Sequence, residues 1–296
     1  MLLIAAVVLM ISATTAGAQP VYPGERAPVS TAEPPFSAVG ALKFDDGLCS
    51  GTLIDADIVL SAAHCLIRED ALEARGVFVT ARGRTGGPLS ARIDEVRVLP
   101  GLERAGIDAQ LIGNGDWALV RLDRPLGLEA GVLDVVAAVD NRSRRPDLIG
   151  ALAMVAVTGL AALATRGRTR MAMAGLCVFG GVILLVLGAR AALAPDWRET
   201  PVVQAGYGPG EGETLFSGPP CSILRFRPSG LIEHDCAITP GDSGGPLLVR
   251  RNEGWAVVAV VSHVQFDASG PRAWATAAAA IPDPRAAFAA ARTGSL

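Results

Sequence analysis

Three short segments of the sequence carry side chains that could together perform nucleophilic catalysis. A serine hydroxyl such as that of Ser243 is a poor nucleophile at neutral pH and needs an adjacent base, which the imidazole of His64 can supply. A buried carboxylate at Asp116 would set the tautomer of His64 and stabilise the imidazolium that forms during attack. The three segments are Leu60-Ser-Ala-Ala-His-Cys65, Gly115-Asp-Trp-Ala-Leu-Val120 and Thr239-Pro-Gly-Asp-Ser-Gly-Gly245.

Glycines around the serine favour this interpretation. Gly241 and the backbone of Ser243 would supply the two N–H donors of an oxyanion hole, and Gly244 and Gly245 let the chain turn tightly enough for those donors to converge. The alternatives are an ordinary glycine-rich turn at this segment and a plain core histidine at His64. The presence of both motifs in one chain favours the catalytic interpretation.

The three motifs occur in the order His, Asp, Ser, and they resemble the trypsin/chymotrypsin-like serine peptidase family, especially its small secreted bacterial members. The resemblance implies a serine endopeptidase that hydrolyses peptide bonds through an acyl-enzyme. It also selects Asp116 from among Asp108, Asp123 and Asp134, because the residues after Asp116 match the family's Asp-x-Ala-Leu pattern. The alternative function is a catalytically weak binding or scaffold protein that keeps the peptidase fold at a membrane.

Substrate-binding positions follow from the same resemblance. Ala237, six residues before the serine, would form the floor of the first pocket, where it offers no carboxylate to bind Lys or Arg. Ser262 would pair with the substrate backbone, and His263 or Val264 would shape the pocket. We therefore expect a preference for small, apolar or acidic side chains. His234 and His263 are expected to be surface or pocket residues and not parts of the triad.

The resemblance also bears on the cysteines. Cys49 and Cys65 match the family's bridge across the histidine loop, and Cys221 and Cys236 form the second pair that we expect. Cys177 would remain a free, small hydrophobic residue. Two such bridges fit an oxidising compartment, whereas free thiols throughout are the alternative.

One departure from the family concerns activation. Asp242 directly precedes the serine, yet no Ile-Val-Gly-Gly run follows an activation site near Arg26. The sequence therefore leaves open how Asp242 is neutralised and whether a zymogen step exists.

The composition points to two apolar regions outside the three motif segments. Half of the 296 residues are hydrophobic, only 19% are charged, and the mean hydropathy is +0.39, which is high for an ordinary soluble domain. Met1–Ala18 holds no charged side chain and resembles a secretory signal peptide, with an uncleaved anchor as the alternative. Leu148–Thr165 and Met171–Ala189 are each just long enough to cross a bilayer, and Arg166-Gly-Arg-Thr-Arg170 joins them. We expect a membrane hairpin here, and a pair of buried Ala-rich helices is the alternative.

The remaining chain consists of short β-type runs separated by Gly and Pro, which is typical of a sandwich or barrel. With the resemblance, this predicts an all-β chymotrypsin-like fold of two Greek-key barrels, an inserted helical hairpin and a short closing helix over 282–292. The predicted division is a signal peptide (1–18), an N-terminal barrel with His64 and Asp116 (19–145), the hairpin (146–194) and a C-terminal barrel with Ser243 (195–296).

These features predict a location and a set of partners. We expect an exported peptidase on the periplasmic face of a bacterial inner membrane, or a secreted one if the hairpin does not span. The substrate would be a polypeptide. Three histidines and five cysteines show no metal-binding spacing, so neither a metal nor another cofactor is expected. A net charge of −3 argues against nucleic acid as a partner.

Overall fold

The computed structural model describes residues 25–68, 71–72, 75–80, 86–102, 115–137, 200–208, 214–227, 229–252, 254–268 and 270–292. These residues form α1 (Gly127–Ala130), α2 (Pro284–Arg292) and the 3-10 helices Phe36–Ala38, Ala63–Cys65 and Ala278–Ala280. The strands are β1 (Ala27–Pro28), β2 (Val39–Phe44), β3 (Gly47–Leu53), β4 (Ile58–Ser61), β5 (Ile67–Arg68), β6 (Ala71–Leu72), β7 (Val77–Thr80), β8 (Leu89–Val98), β9 (Ala118–Leu122), β10 (Asp134–Val135), β11 (Val202–Gly206), β12 (Phe216–Ser217), β13 (Ile223–Phe226), β14 (Leu231–His234), β15 (Pro246–Arg251), β16 (Gly254–Asp267) and β17 (Gly270–Ala277).

Six strands of the N-terminal half close into a barrel in the order β2-β3-β4-β9-β8-β7. Its wall shows period-two burial, because successive side chains of a strand point to opposite faces. Along β8, for example, Ala91, Ile93 and Val96 are buried between more exposed neighbours. Gly40 fits against the core, since a Cβ there would lie 2.4 Å from the ring of Phe78. Closure leaves this barrel without an open sheet edge.

The C-terminal half forms a nine-stranded sheet in the order β1-β12-β11-β15-β16-β17-β14-β13, and β10 pairs with β16. Its long central strand, β16, is antiparallel to β15 and β17 and carries a register shift between Val261 and His263. Two short strands of the N-terminal half, β1 and β10, thus join the C-terminal sheet. The two halves are therefore joined by backbone hydrogen bonds as well as by the packing of side chains.

The C-terminal helix α2 returns to the N-terminal barrel. Phe288 is buried in the core of that barrel, and the guanidinium of Arg121 lies 4.5 Å from the centre of its ring. Arg285 donates two hydrogen bonds to Asp55, at 2.5 and 2.9 Å. The predicted all-β fold with a short closing helix is therefore confirmed.

The predicted membrane segments lie elsewhere in the chain. Met1–Ala18 and the hairpin runs Leu148–Thr165 and Met171–Ala189 are outside the described residues, as is Cys177. Within the ranges that the structure does describe, no helix combines the length and the apolar character needed to cross a membrane.

Candidate active site

His64 and Asp116 are brought together by two paired strands. β4 ends at Ser61 and β9 begins at Ala118, and these two residues are cross-strand partners. His64 lies three residues beyond the end of β4, on a 3-10 turn, and Asp116 lies two residues before β9. The imidazole Nδ1 is 2.9 Å from Asp116 Oδ2 and 3.1 Å from Oδ1, and the His64 backbone N–H donates to Oδ1 at 3.0 Å.

The carboxylate of Asp116 is fully buried yet remains ionised. Burial by itself would raise its pKa. The charge of His64, the hydrogen bonds from the His64 ring and the Ser262 hydroxyl, and the His64 backbone N–H outweigh burial and hold the pKa of Asp116 below its ordinary value. Because an ionised carboxylate faces Nδ1, the imidazole keeps its proton there. The other nitrogen, Nε2, is then the basic one.

A disulfide holds the histidine turn against β3. Cys49 and Cys65 are bonded at an S–S distance of 2.03 Å, as the family resemblance implies. The Sγ atom of Cys65 lies 3.7 Å from His64 Nε2 and 3.9 Å from the carbonyl oxygen of Ser243. The basic nitrogen and the serine residue therefore approach the same sulfur from opposite halves of the molecule. Both cysteine sulfurs are committed to the bridge, so they do not form a metal site with His64.

Ser243 is half-buried in a tight loop before β15, and two glycines give this loop its shape. Gly241 has a φ of 94°, and a Cβ there would lie 2.3 Å from the carbonyl oxygen of Tyr207. Gly244 has a φ of 82°, and its Cβ would lie 2.1 Å from the Ser61 hydroxyl. Any side chain at either position would be strained and would displace the loop.

The loop presents backbone donors. Among the described residues, neither the Gly241 N–H nor the Ser243 N–H donates to a protein acceptor, whereas the Gly244 N–H donates to the carbonyl of Val261 at 2.8 Å. Two nearby N–H groups without a protein acceptor are suited to bind a developing oxyanion.

Ser262 connects the two halves. Its hydroxyl donates a short hydrogen bond to Asp116, and its backbone carbonyl accepts one from the Ser243 hydroxyl at 3.4 Å. The structure thus joins His64, Asp116, Ser262 and Ser243 in one hydrogen-bonded chain. We expected Ser262 only as a contact for the substrate backbone, and its bond to Asp116 was not foreseen.

Ser50 is a further residue that the sequence did not reveal. Its backbone N–H donates to the carbonyl of Ser243 at 2.8 Å, and its hydroxyl donates to the carbonyl of Gly241 at 2.9 Å. The same hydroxyl accepts the N–H of Tyr207 at 2.8 Å. Ser50 follows Cys49 in β3, and that adjacency is the only signal that could have pointed to it.

Two of the residues expected in the substrate pocket, His263 and Val264, follow Ser262 in β16. His263 is half-buried, with Nδ1 3.0 Å from the Ser262 hydroxyl, and Val264 packs against the C-terminal core beside its strand partner Ala273. Burial lowers the pKa of His263, nearby His64 and Arg227 lower it further, and Asp116 opposes them. His263 is therefore neutral at neutral pH.

Ala237 and His234 precede the serine loop in the chain. Ala237 is buried and lines a cavity of about 160 Å³ whose lining includes Asp235 and Cys221. Cys221 and Cys236 are bonded at an S–S distance of 2.09 Å. His234 was expected at the surface or in a pocket, and this is wrong, because it is fully buried in β14. Burial lowers its pKa to about 3.

Comparisons with known proteins agree with this fold. The family model described as Trypsin matches residues 26–170, which include the His64 and Asp116 motifs. A Glu endopeptidase structure in complex with MPD aligns with a TM-score of 0.58 and 15% identity, over 92% of this chain and 98% of that one. A mutant of human heparin binding protein aligns with a TM-score of 0.51 and 16% identity, over 87% and 92%. No curated protein matches the sequence.

These findings support the trypsin-like serine peptidase family and the chymotrypsin-like two-barrel fold. The structural likenesses are of fold alone, because their identity is low. The family match supports a serine-type peptidase, for which the substrate is a polypeptide.

Proposed function

We propose that the protein is a serine endopeptidase in which Ser243 is the nucleophile, His64 the general base and Asp116 the carboxylate that orients the base. The observation that carries the proposal is the fully buried Asp116, held on Nδ1 of His64 and on the hydroxyl of Ser262, whose carbonyl receives the Ser243 hydroxyl. An ionised carboxylate on Nδ1 leaves Nε2 of His64 as the base that an acyl-enzyme mechanism requires, and the Ser243 hydroxyl has to turn from the Ser262 carbonyl to Nε2 to give up its proton.

The residues account for each step. The Ser243 oxygen attacks the scissile carbonyl while its proton passes to Nε2 of His64, and the N–H groups of Gly241 and Ser243 stabilise the oxyanion. His64 then returns the proton to the leaving amine, which leaves the substrate's acyl group esterified to Ser243. A water molecule, deprotonated by His64, hydrolyses this ester and restores the serine.

A fluorophosphonate probe tests the proposal, because it reacts only with an activated serine. We expect the intact protein to be labelled, and we expect both Ser243→Ala and His64→Ala to abolish labelling while their circular dichroism spectra remain unchanged. Absence of labelling in the folded intact protein would reject the enzyme and leave the binding or scaffold protein, a role for which heparin binding protein shows that this fold is suitable.

The site also bears on specificity. With Ala237 at the expected pocket floor and a neutral His263 beside Ser262, the substrate pocket would favour small, apolar or acidic side chains. We expect a profile of cleaved peptides to lack Lys and Arg before the cut bond. Enrichment of either would show that a carboxylate binds the substrate side chain, and Asp235, which lines the same cavity as Ala237, is the candidate.

The disulfides and the trypsin-like fold favour an extracellular or secreted protein. Export by Met1–Ala18 and a tether formed by Leu148–Thr165 and Met171–Ala189 complete the proposal, and they rest on the apolar sequence of those segments. Carbonate extraction of membranes tests the tether: a tethered protein stays in the pellet, and a protein that leaves with the wash is not tethered.

A further inference from the structure

Asp242, the residue before the proposed nucleophile, forms a buried ion pair with Arg26. Arg26 Nη2 lies 2.8 Å from Asp242 Oδ1, and the two side chains are 7% and 0% exposed. Nη2 also donates to the carbonyl of Gly206 at 3.2 Å, and Asp242 Oδ2 accepts the N–H of Thr239 at 2.7 Å. A carboxylate at this depth needs a paired charge, because burial of an unpaired one is strongly destabilising.

The guanidinium comes from the N-terminal segment. Arg26 directly precedes β1, and β1 pairs with β12 at the edge of the C-terminal sheet. The guanidinium carbon also lies 5.7 Å from the centre of the Phe216 ring. Backbone pairing, a ring contact and the ion pair together hold this segment over the serine loop.

The pocket around the carboxylate is closely fitted. A Cβ at Gly206 would lie 2.3 Å from Asp242 Oδ1 and 3.0 Å from the Ser50 hydroxyl, which itself bonds the carbonyl of Gly241. Asp242 stands between Gly241 and Ser243, so the position of its side chain constrains the N–H groups on both sides. If Asp242 turned outward, the orientation of both proposed oxyanion donors would change.

We propose that Arg26 is a positioning residue, whose guanidinium holds Asp242 inward and thereby keeps the segment from Gly241 to Ser243 in its active form without any cut of the chain. The charge that neutralises Asp242 is a side chain of the intact N-terminal segment, so no newly released terminus is needed. The catalytic consequence rests on the proposed function, whereas the ordering of the loop does not.

The first experiment compares Arg26→Met with Arg92→Met. Arg92 is a suitable control because its side chain is 82% exposed and its ion pair with Asp123 lies at the surface. Hydrogen exchange of the 239–245 segment reports loop order, and the rate of fluorophosphonate labelling reports activity. We expect Arg26→Met to speed exchange in this segment and to slow labelling by about 100-fold, the effect of losing an oxyanion donor. Arg92→Met should change neither.

Chemical rescue supplies a second test that unfolding cannot mimic. Arg26→Ala leaves a space into which free guanidinium ion can bind. We expect millimolar guanidinium chloride, but not sodium chloride at the same concentration, to raise the labelling rate of Arg26→Ala toward that of the wild-type protein. An unfolded variant would not recover, because guanidinium is a denaturant.

The outcomes separate the two proposals. Unchanged exchange in Arg26→Met overturns the role of Arg26, and so does failure of guanidinium to restore Arg26→Ala when the wild-type protein is labelled. Faster exchange in Arg26→Met, together with a folded wild-type protein that is not labelled, supports loop positioning by Arg26 and rejects the peptidase.

Discussion

The two halves of the molecule hold their parts of the site in different ways. His64 and Asp116 lie beside the ends of two paired strands of one closed barrel, and the Cys49–Cys65 disulfide ties the turn that carries His64 to that barrel. Ser243 lies in a loop that bonds to Val261 and Ser262 of its own sheet and that is also held by Ser50 of the barrel and Arg26 of the N-terminal segment. The proposed base is therefore positioned mainly within the barrel, whereas the proposed nucleophile also depends on contacts from distant parts of the chain.

This difference indicates which substitutions the proposed site should tolerate least. Damage to the barrel must break backbone pairing or a disulfide before it moves the base, but single hydrogen bonds control the serine loop. We expect substitutions of residues that contact the Ser243 loop to lower activity even where the protein remains folded. The predictions below test this contrast, beginning with the largest effect.

The two halves should act as one catalytic unit. We expect His64→Ala and Ser243→Ala each to lower kcat by about a millionfold, and the double variant to lose no more than either single one, because removal of either partner already disables the other. Rates of peptide hydrolysis measured by single-turnover kinetics check this. Additive losses would show that the two residues work independently and would contradict a shared catalytic unit.

Gly241→Ala should harm the loop far more than the barrel. The left-handed φ of 94° and the 2.3 Å approach to Tyr207 leave no room for a methyl group, so the oxyanion donors must shift. We expect kcat to fall by about 100–1,000-fold with little change in KM. Gly47→Ala is the matched control, because nothing lies within 4 Å of its Cβ position. An equal loss in both variants would contradict the prediction.

Ser50→Ala should show how much the hydrogen bonds between the two halves contribute to stability and activity. It removes a hydroxyl that bonds both Gly241 and Tyr207, and an unsatisfied buried group costs about 1–3 kcal/mol of unfolding free energy. We expect that loss in urea denaturation, together with a fall in kcat. Ser90→Ala, at an exposed position of β8, should leave both quantities unchanged. If Ser50→Ala is as stable and as active as the wild-type protein, the hydrogen bonds of the Ser50 hydroxyl to Gly241 and Tyr207 are not needed for stability or activity.

Acid should weaken the C-terminal sheet through His234. Its pKa falls from 6.5 to about 3 in the folded protein, so between these values the unfolded chain binds a proton that the folded chain does not. The free energy of unfolding should therefore decrease as the pH falls from 6.5, by about 1.4 kcal/mol per pH unit for this group. Urea denaturation of wild type and His234→Leu over this range measures the difference. Identical slopes would overturn the assignment.

Local motifs predicted much of the site because their chemistry is local. The runs around His64, Asp116 and Ser243 combine the reacting side chain with the small residues and glycines that shape its turn, so each could be recognised without a partner in view. Both cysteine pairs lie close in the chain, at separations of 16 and 15 residues. Short runs with turn residues between them likewise predicted the all-β fold.

Residues whose roles depend on distant partners were not predicted. His234 lies between Glu233 and Asp235 in the sequence, which suggests an exposed position. Its burial in the folded protein is what lowers its pKa and keeps it neutral. Ser262 was expected to meet the substrate, but its hydroxyl reaches Asp116 because the two halves pack together at this point.

The sequence by itself determined which side chains could react and in what order they occur along the chain. Only the tertiary structure decided what holds them in position, since Arg26 meets Asp242 across 216 residues and Ser50 meets Gly241 across 191. The physical reason is that a hydrogen bond or ion pair depends on distances of a few ångströms. Such distances between remote residues arise only from strand register and from the packing of one half on the other.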